Sequence, residues 1–199
     1  MKTLIPKSEA RKVVLERKKN LSESEVTQKT DLIVQRLLNT DDFIHAKTIH
    51  CYLPTRQNEV NTKKIINLAQ SLGKQIYLPK LNKTTKAVRK ALFTGWDNLI
   101  KNSEGYLEPA MGYEDDLSDI DLFFVPAMAV SIIGQRVGSG DGYYDSLLKN
   151  TFAVKYVPAF EFQIFENIET EQNEIRIDKI ITERRIINTR EINKFSFSN

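Results

Sequence analysis

Apolar residues near the amino terminus recur at the spacing of a helix with one buried face. Their period of about 3.6 residues predicts a helix over residues 6–19, whose exposed face is strongly basic. Ser22 followed by Glu25 forms a capping-box pattern, which predicts the start of a second amphipathic helix that reaches about Asn39. The first part of the chain is therefore expected to be helical.

Short apolar runs then alternate with helical patterns along most of the remaining chain. The runs predict strands over residues 48–53, 75–78, 87–93, 121–125, 153–157 and 179–182, and the helical patterns lie at residues 62–72 and 143–149. Gly73 is expected to end the first of these helices. Strands separated by helices favour a parallel sheet covered by helices, so the predicted fold class is α/β.

Two segments lack such a pattern. Residues 95–118 mix glycine, proline and acidic residues, and are predicted to form a long surface connection. Residues 184–199 are predicted to be a carboxy-terminal tail. Because the chain has 199 residues and no internal repeat, we expect a single domain over residues 1–199.

Composition and charge exclude several classes of protein. No stretch approaches the run of about 18 apolar residues that a membrane span needs, and the basic amino terminus is not a signal-peptide pattern. We therefore expect a cytoplasmic protein that does not contact a membrane. The net charge of +3, from 29 basic and 26 acidic side chains, is too balanced to indicate nucleic acid binding. The basic helix also lacks interleaved aromatic residues.

The chain offers few residues for nucleophilic or metal chemistry. Its one cysteine, Cys51, lies in an apolar run, where a buried structural thiol is favoured over a nucleophile. With one cysteine, no disulfide can form within the chain. The two histidines, His45 and His50, are too few for a histidine-rich metal site and are expected to cap or pack.

Residues 134–145 read Gly-Gln-Arg-Val-Gly-Ser-Gly-Asp-Gly-Tyr-Tyr-Asp and lead into a predicted helix. Glycine permits positive φ and lets backbone N–H groups approach an anion, and the helix start adds further donors. Arg136 can bind phosphate oxygens, and Asp145 can hold Mg²⁺. The segment is neither a Walker A loop nor the dinucleotide fingerprint. By itself it predicts an anion-binding turn, with a mobile glycine turn as the alternative.

With Val125 and Pro126 before it, this segment resembles the 5-formyltetrahydrofolate cyclo-ligase family, also called 5,10-methenyltetrahydrofolate synthetases. The other matching pieces are Lys7, Arg11 and, in the family's order, residues 59–62, 78–79, 107–109, 160–163 and 177–178. The resemblance covers about residues 7–182. It implies a three-layer αβα fold with a mostly parallel central sheet, similar to the sugar-phosphate isomerase/CoA-transferase-like fold.

The resemblance implies a cyclo-ligase that depends on ATP and Mg²⁺. ATP phosphorylates the N5-formyl oxygen of 5-formyltetrahydrofolate, N10 attacks the resulting imidate phosphate, and phosphate leaves. The products are 5,10-methenyltetrahydrofolate, ADP and phosphate. Such chemistry chiefly needs positioning and neutralisation of charge, so no nucleophilic side chain is required. The expected partners are the two small-molecule substrates, and we expect a monomer.

The family's pattern also implies the site residues. Lys7 and Arg136 are the implied catalytic residues. The implied ATP-binding residues are Lys7, Ser8, Glu9, Ala10, Arg11, Arg136, Val137, Gly138, Ser139, Gly140, Asp141, Gly142, Tyr143 and Tyr144. The implied folate-binding residues are Pro54, Glu59, Ser139, Gly140, Asp141, Gly142 and Tyr143, and the implied Mg²⁺ ligands are Asp145 and Asp178. Glu59 is the residue expected to bind the pterin.

Three positions depart from the family's common pattern. Asp141 replaces a Gly or Lys and brings a carboxylate beside the phosphates, which is expected to weaken ATP binding. Ser139 replaces a frequent Tyr or Arg, and Ala91 replaces the Met of a Met-x-Phe pattern, so part of the folate pocket is expected to be reshaped. Trp96 either walls this pocket or is structural.

Two alternatives stay open at the level of sequence. A sugar-phosphate isomerase or CoA-transferase relative would use a carboxylate base and need no ATP. A folate- or nucleotide-binding relative without turnover is the second alternative, and Asp141 is the residue that motivates it.

Overall fold

The computed structural model describes residues 4–82, 88–140, 142–170 and 174–196. The α-helices in these ranges are α1 (Lys7–Lys19), α2 (Glu23–Leu37), α3 (Asp41–His45), α4 (Thr62–Ser71), α5 (Tyr143–Leu148) and α6 (Thr189–Ser196). The strands are β1 (Thr48–His50), β2 (Gln75–Leu81), β3 (Val88–Leu92), β4 (Leu99–Lys101), β5 (Leu107–Pro109), β6 (Leu122–Phe124), β7 (Ala129–Ser131), β8 (Arg136–Val137), β9 (Val154–Pro158), β10 (Ile164–Phe165), β11 (Lys179–Ile181) and β12 (Ile186–Asn188).

The central sheet has the strand order β12-β11-β9-β6-β1-β2-β3. Strands β11, β9, β6, β1 and β2 run parallel to one another. Strands β12 and β3 add an antiparallel edge on either side. A smaller sheet contains β10, β7 and β8, and β4 pairs with β5 as an antiparallel hairpin. The predicted α/β class with a mostly parallel central sheet is confirmed.

Both faces of the central sheet are buried, as a three-layer arrangement requires. Phe123 and Phe124 are adjacent on β6, so their side chains point to opposite faces. Phe124 packs in a cluster with Ile33 of α2 and Ile66 of α4. Phe123 packs in a second cluster with Leu147 of α5. Strands buried on both faces need nearly continuous apolar sequence, which explains the unbroken apolar runs.

The helix boundaries follow local signals in the sequence. The Ser22 hydroxyl accepts a hydrogen bond from the Glu25 N–H at 3.2 Å, and the Glu25 carboxylate accepts one from the Ser22 N–H at 2.9 Å. This confirms the predicted capping box at the start of α2. Gly73 has a φ of +72° just beyond α4, which confirms the predicted helix stop.

Two parts of the chain contain strands that the sequence pattern did not predict. Residues 95–118 include a 3₁₀ turn and the β4–β5 hairpin, which Glu108 fastens to β2 by accepting a hydrogen bond from the Leu81 N–H at 3.0 Å. The glycine-rich segment does not lead directly from β6 to α5, because β7 and β8 lie between them. Strands β4, β5, β7 and β8 each have three residues or fewer, which is too short to give a period-two pattern in the sequence.

The prediction of a tail over residues 184–199 is wrong for the part that the structure describes. Strand β12 pairs with β11, and α6 follows it. Ile187 is buried in the same cluster as Phe123. The Thr189 hydroxyl donates to the Asp178 carbonyl at 3.0 Å. The Ile-Ile pair at 186 and 187 was the available signal for this edge strand.

Helix α1 lies against the small sheet and forms the predicted amino-terminal helix. Its apolar face places Ala10 and Val14 in a cluster with Met128, Ala129 and Val137. Since Val137 directly precedes the glycines at 138–142, this packing brings the basic face of α1 next to them. In the described part of the chain, no helix is long and apolar enough to cross a membrane.

Candidate active site

A cavity of about 520 Å³ opens where the parallel strands of the central sheet end. Tyr52 and Pro54 follow β1, Pro126 follows β6, and Pro158 ends β9, and all four residues line the cavity. Helix α1, the β4–β5 hairpin and the start of α5 contribute the other walls. Ligands of open α/β sheets bind beyond the carboxyl ends of the strands, so this cavity is the candidate active site.

One end of the cavity is cationic because α1 presents two basic side chains one turn apart. The Arg11 Nε–H donates to the carbonyl of Gly138 at 3.0 Å. The Lys7 ammonium forms an ion pair with the Glu174 carboxylate. Helix α1 is thereby attached to the glycine loop on one side and to the segment before β11 on the other. Both cations line the cavity.

Arg136 supplies a third positive charge at this end and is held by two neighbours. Its Nη1–H donates to the Pro126 carbonyl at 3.1 Å, and its Nη2–H pairs with the Asp145 carboxylate. The side chain is only 6% exposed. A Cβ at position 138 would lie 2.9 Å from Arg136 Nη1, closer than real Cβ contacts, so Gly138 leaves the space that the guanidinium needs.

The glycine-rich segment divides into two parts with different roles. Gly134 belongs to the turn between β7 and β8, where a Cβ would lie 2.4 Å from the carbonyl oxygen of Ile177. It does not line the cavity. Gly138, Gly140 and Gly142 do line it, and the last two have φ values of +119° and +71°. Of the glycines in the predicted anion-binding turn, Gly138, Gly140 and Gly142 therefore lie at the cavity, and Gly134 does not.

The two predicted metal ligands do not lie together. Asp145 lines the cavity and is 63% exposed, beside Arg136. Asp178 precedes β11 at the amino end of that strand, and it does not line the cavity. Its carboxylate accepts hydrogen bonds from the Lys155 N–H at 2.8 Å and from Arg190 Nε–H at 2.6 Å. We therefore correct the prediction for Asp178, which fastens strand ends together instead.

The other end of the cavity carries the carboxylate of Glu59, on the loop after β1. Its Oε2 accepts hydrogen bonds from the N–H groups of Thr55 at 3.0 Å and Arg56 at 3.3 Å. Its Oε1 lies 3.5 Å from the Nζ of Lys18, near the end of α1. Pro54 lines the same wall. Lys7, Arg11 and Arg136 thus line one end of the cavity, and the Glu59 carboxylate, paired with Lys18, lines the other.

Tyr143 and the β4–β5 hairpin meet at the mouth of the cavity. The Tyr143 hydroxyl donates to Oε1 of Glu104 at 3.2 Å. Glu104 lies at the turn of the hairpin, whereas Tyr143 begins α5. Both residues line the cavity, so their contact bridges two of its walls.

The structure brings most of the predicted site residues together and leaves others outside. The predicted residues that line the cavity are Lys7, Arg11, Pro54, Glu59, Arg136, Gly138, Ser139, Gly140, Gly142, Tyr143, Tyr144 and Asp145. Ala10 and Val137 are buried beneath the site in the α1 cluster. Ser8 and Glu9 are exposed and do not line the cavity. Asp141, predicted to contact both substrates, lies outside the described residues.

Trp96 does not line the cavity, in agreement with the structural alternative. Its indole N–H donates to Asn67 Oδ1 at 3.0 Å, and its ring packs edge-on against Phe93 with centroids 4.8 Å apart.

Lys18, Glu104 and Glu174 are among the cavity residues that the sequence did not identify as site residues. Lys18 lies on the same face of α1 as Lys7 and Arg11, so helical spacing was an available signal for it. Glu104 and Glu174 lie in polar connections, and only the folded chain brings them to the cavity.

Cys51 and His50 are core residues, as the sequence predicted. Both are completely buried on or next to β1. Burial raises the pKa of the Cys51 thiol to about 12, which keeps it neutral. Burial, assisted by the charge of Lys90, lowers the pKa of His50 to about 3, and the ring stacks on Phe123 with centroids 4.0 Å apart. Neither side chain is a nucleophile or a general base.

Comparison with known proteins gives a consistent match. A family model described as the 5-formyltetrahydrofolate cyclo-ligase family matches residues 5–183. A probable 5-formyltetrahydrofolate cyclo-ligase from Caenorhabditis elegans is 26% identical over 197 residues, covering 91% of this chain and 94% of the relative. The 5-formyltetrahydrofolate cyclo-ligase of Haemophilus influenzae is 29% identical over 168 residues, covering 81% and 89%.

Solved structures agree with these sequence comparisons. The solution structure of Aquifex aeolicus 5,10-methenyltetrahydrofolate synthetase is similar to this chain, with a TM-score of 0.81 and 30% identity. The match covers 92% of this chain and 93% of that protein.

Proposed function

The chain belongs to the 5-formyltetrahydrofolate cyclo-ligase family, and we propose that it converts 5-formyltetrahydrofolate and ATP to 5,10-methenyltetrahydrofolate, ADP and phosphate. The observation that carries the proposal is one cavity lined both by Lys7, Arg11 and Arg136 and by the Glu59 carboxylate, which backbone N–H groups hold in place. Such a cavity offers charged donors to a triphosphate and a carboxylate acceptor to the N–H groups of a pterin.

The cationic end is the proposed binding site for ATP. Lys7, Arg11 and Arg136 line the cavity together with Gly138, Gly140 and Gly142, so we propose that positive side chains and glycine N–H groups bind the phosphate oxygens together. Lys7 and Arg136 are each paired with a carboxylate, Glu174 and Asp145. Phosphate oxygens are negatively charged, as these carboxylates are. Both cations therefore lie where they can bind an anionic oxygen, which supports a phosphate site.

The opposite end is the proposed binding site for the folate. The Thr55 and Arg56 N–H groups hold one oxygen of Glu59, so the carboxylate has a fixed direction from which it can accept pterin N–H donors. Pro54 and the ring of Tyr143 supply apolar walls for the planar pterin.

The reaction then needs positioning and charge neutralisation more than it needs a reactive side chain. The formyl oxygen attacks the γ-phosphorus of ATP, and ADP leaves. N10 attacks the formyl carbon, the carbon–oxygen bond breaks, and phosphate departs with the proton that N10 loses. Lys7 and Arg136 stabilise the negative charge of the phosphoryl group during transfer. The neutral, buried Cys51 is consistent with a mechanism without a covalent enzyme intermediate.

Mg²⁺ is the metal proposed to act with ATP, and it would neutralise phosphate charge when bound. The described residues contain no group of three or more His, Cys, Asp or Glu side chains with the geometry of a metal site. Magnesium in nucleotide-binding enzymes commonly uses one or two carboxylates, with water and phosphate oxygens as the other ligands. Asp145 fits this role as a single protein ligand, since it is exposed to the cavity beside Arg136.

A cytoplasmic location and a monomeric state are retained as parts of the proposal. The oligomeric state is tested directly by sedimentation equilibrium of the purified chain.

The activity is tested by incubating the protein with 5-formyltetrahydrofolate, ATP and Mg²⁺ while following methenyl absorbance and ADP release. We expect both products in equal amounts, and neither when ATP is omitted. Arg136→Ala should lower kcat by about 100-fold or more, because it removes a charge aimed at the phosphoryl group. Product formation without ADP, or none at all, would contradict the proposal. The same assay separates it from an isomerase, which would consume no ATP.

A further inference from the structure

Lys18 is a buried cation of the cavity that the proposed chemistry does not use. Its side chain is only 8% exposed, near the end of α1, and it lines the cavity together with Glu59. Lys7 and Arg11 lie farther toward the start of the same helix, at the opposite end of the cavity. Lysine is rarely buried without a specific partner, so the position of this side chain requires an explanation.

The surrounding backbone fixes Lys18 and Glu59 relative to one another. Asn58 Nδ2–H donates to the Lys18 carbonyl at 2.7 Å and to the Leu21 carbonyl at 3.2 Å. Asn58 adopts a φ of +57°, which is uncommon for a residue other than glycine and turns the loop toward the end of α1. The loop that carries Glu59 is therefore attached to the main chain of the helix that carries Lys18.

The two oxygens of Glu59 have different neighbours. Oε2 receives the two N–H groups of the loop, whereas Oε1 lies 3.5 Å from Lys18 Nζ. At this distance the contact is an ion pair more than a short hydrogen bond. It leaves Oε1 with lone-pair capacity for a donor from a ligand, because a carboxylate oxygen can accept more than one hydrogen bond.

Two opposing effects act on the pKa of Lys18. Burial lowers the pKa of Lys18, and the neighbouring Glu59 carboxylate opposes this effect and favours the ammonium form. Burial therefore disfavours the ammonium form of Lys18, and the contact with Glu59 opposes this effect in part. Removing the ammonium would leave Oε1 without its cation, so only the loop contacts of Oε2 would then set the direction of the carboxylate.

We propose that Lys18 is a positioning residue for substrate recognition, which holds Oε1 of Glu59 in the direction that accepts the pterin N–H donors. This inference rests on the proposed function. It differs from a purely structural role, in which the ion pair would only fasten the loop to α1. A positioning role affects the folate end and leaves the ATP end unchanged, whereas a structural role affects stability without selecting one substrate.

The experiment compares wild type with Lys18→Met, which keeps the length of the side chain and removes its charge. We expect the KM for 5-formyltetrahydrofolate to rise about tenfold, as for loss of a charged hydrogen-bonding arrangement, with the KM for ATP within about twofold of wild type. Lys18→Arg should recover most of the affinity. Lys19→Met is the matched control, since Lys19 is exposed and pairs with Glu16; its KM values should equal those of wild type.

A double-mutant cycle with Glu59→Gln tests the connection itself. Adding Lys18→Met to Glu59→Gln should raise the folate KM no further, because both changes remove the same arrangement. Lys18→Gln provides a second variant, and thermal denaturation verifies that each variant is folded. Equal rises in both KM values, additive effects, or lower stability with unchanged KM values would each overturn the inference. An inactive wild type would instead overturn the proposed function, and this inference with it.

Discussion

The guanidinium of Arg136 occupies space that exists only because residue 138 is a glycine. Its Nη1 lies 2.9 Å from the position that a Cβ on Gly138 would take. The same guanidinium contacts the Pro126 carbonyl and Asp145, so a methyl group at position 138 would displace it against two existing contacts.

Gly138→Ala should therefore impair ATP use while the protein remains folded. We expect the KM for ATP to rise about tenfold, because the added methyl displaces a charged donor from the phosphate end. Steady-state kinetics with ATP varied at saturating folate measure this effect. In an Arg136→Lys background the added methyl should raise the KM for ATP much less, since lysine has no Nη1. An equal cost in both backgrounds would show that the backbone at 138, and not Arg136, explains the effect.

The contact between Tyr143 and Glu104 gives a second prediction. Tyr143→Phe removes the donor across the mouth of the cavity and should raise the folate KM about twofold to fivefold, the effect of one partly exposed hydrogen bond. Glu104→Ala should behave in the same way. Glu104→Gln keeps a carbonyl acceptor for the hydroxyl and should stay close to wild type. A large rise in the folate KM with Glu104→Gln would mean that the charge of Glu104, and not the hydrogen bond, contributes to folate binding.

The separation of Asp145 from Asp178 predicts different metal dependence. Asp145→Asn should increase the Mg²⁺ concentration needed for half-maximal activity, because it removes the proposed carboxylate ligand. Asp178→Asn should leave this concentration unchanged, since its carboxylate contacts Lys155 and Arg190 away from the cavity. Magnesium titrations of both variants at fixed ATP check the prediction, and equal shifts would restore Asp178 as a ligand.

Cys51 gives a prediction about pH. Burial raises its pKa to about 12, whereas an unfolded thiol titrates at about 8.5. Because the folded state holds the proton more tightly, this contribution to stability is complete below about pH 8.5 and is lost as the pH rises toward 12. Above about pH 8.5, the free energy of unfolding of Cys51→Ala should therefore fall less with rising pH than that of wild type. Iodoacetamide should label the thiol only after denaturation, and inactivation of the native enzyme by labelling would contradict this.

The packing of strand β12 predicts that two neighbouring isoleucines contribute very differently to the free energy of unfolding. Ile187 is 6% exposed in the core, whereas Ile186 is 38% exposed. Ile187→Ala should lower the free energy of unfolding by about 2–4 kcal/mol, because it leaves a cavity in the core. Ile186→Ala should lower it by less than about 1 kcal/mol. Urea denaturation measures both, and similar values would argue that β12 does not pack as described.

The sequence predicted those features whose signal is local. The capping box at Ser22 and Glu25 and the helix stop at Gly73 need only neighbouring residues, and both were predicted correctly. The β7–β8 hairpin was missed because each strand is too short for a period. The ion pair of Lys7 with Glu174 joins residues 167 positions apart, so no local pattern indicates it. The predicted roles in ATP and folate binding came from family resemblance and stay predictions.

The position of α1 has a consequence for how the enzyme assembles during its synthesis. This helix leaves the ribosome before the strands of the central sheet, yet Arg11 contacts Gly138, 127 residues later, and Ile5 pairs with Ile168. Neither contact can form until those later residues have been made, although the strands β1 and β2 are already available to pair. Helix α1 therefore stays undocked until residues 138 and 168 have been made. The cationic end of the cavity cannot form before that point.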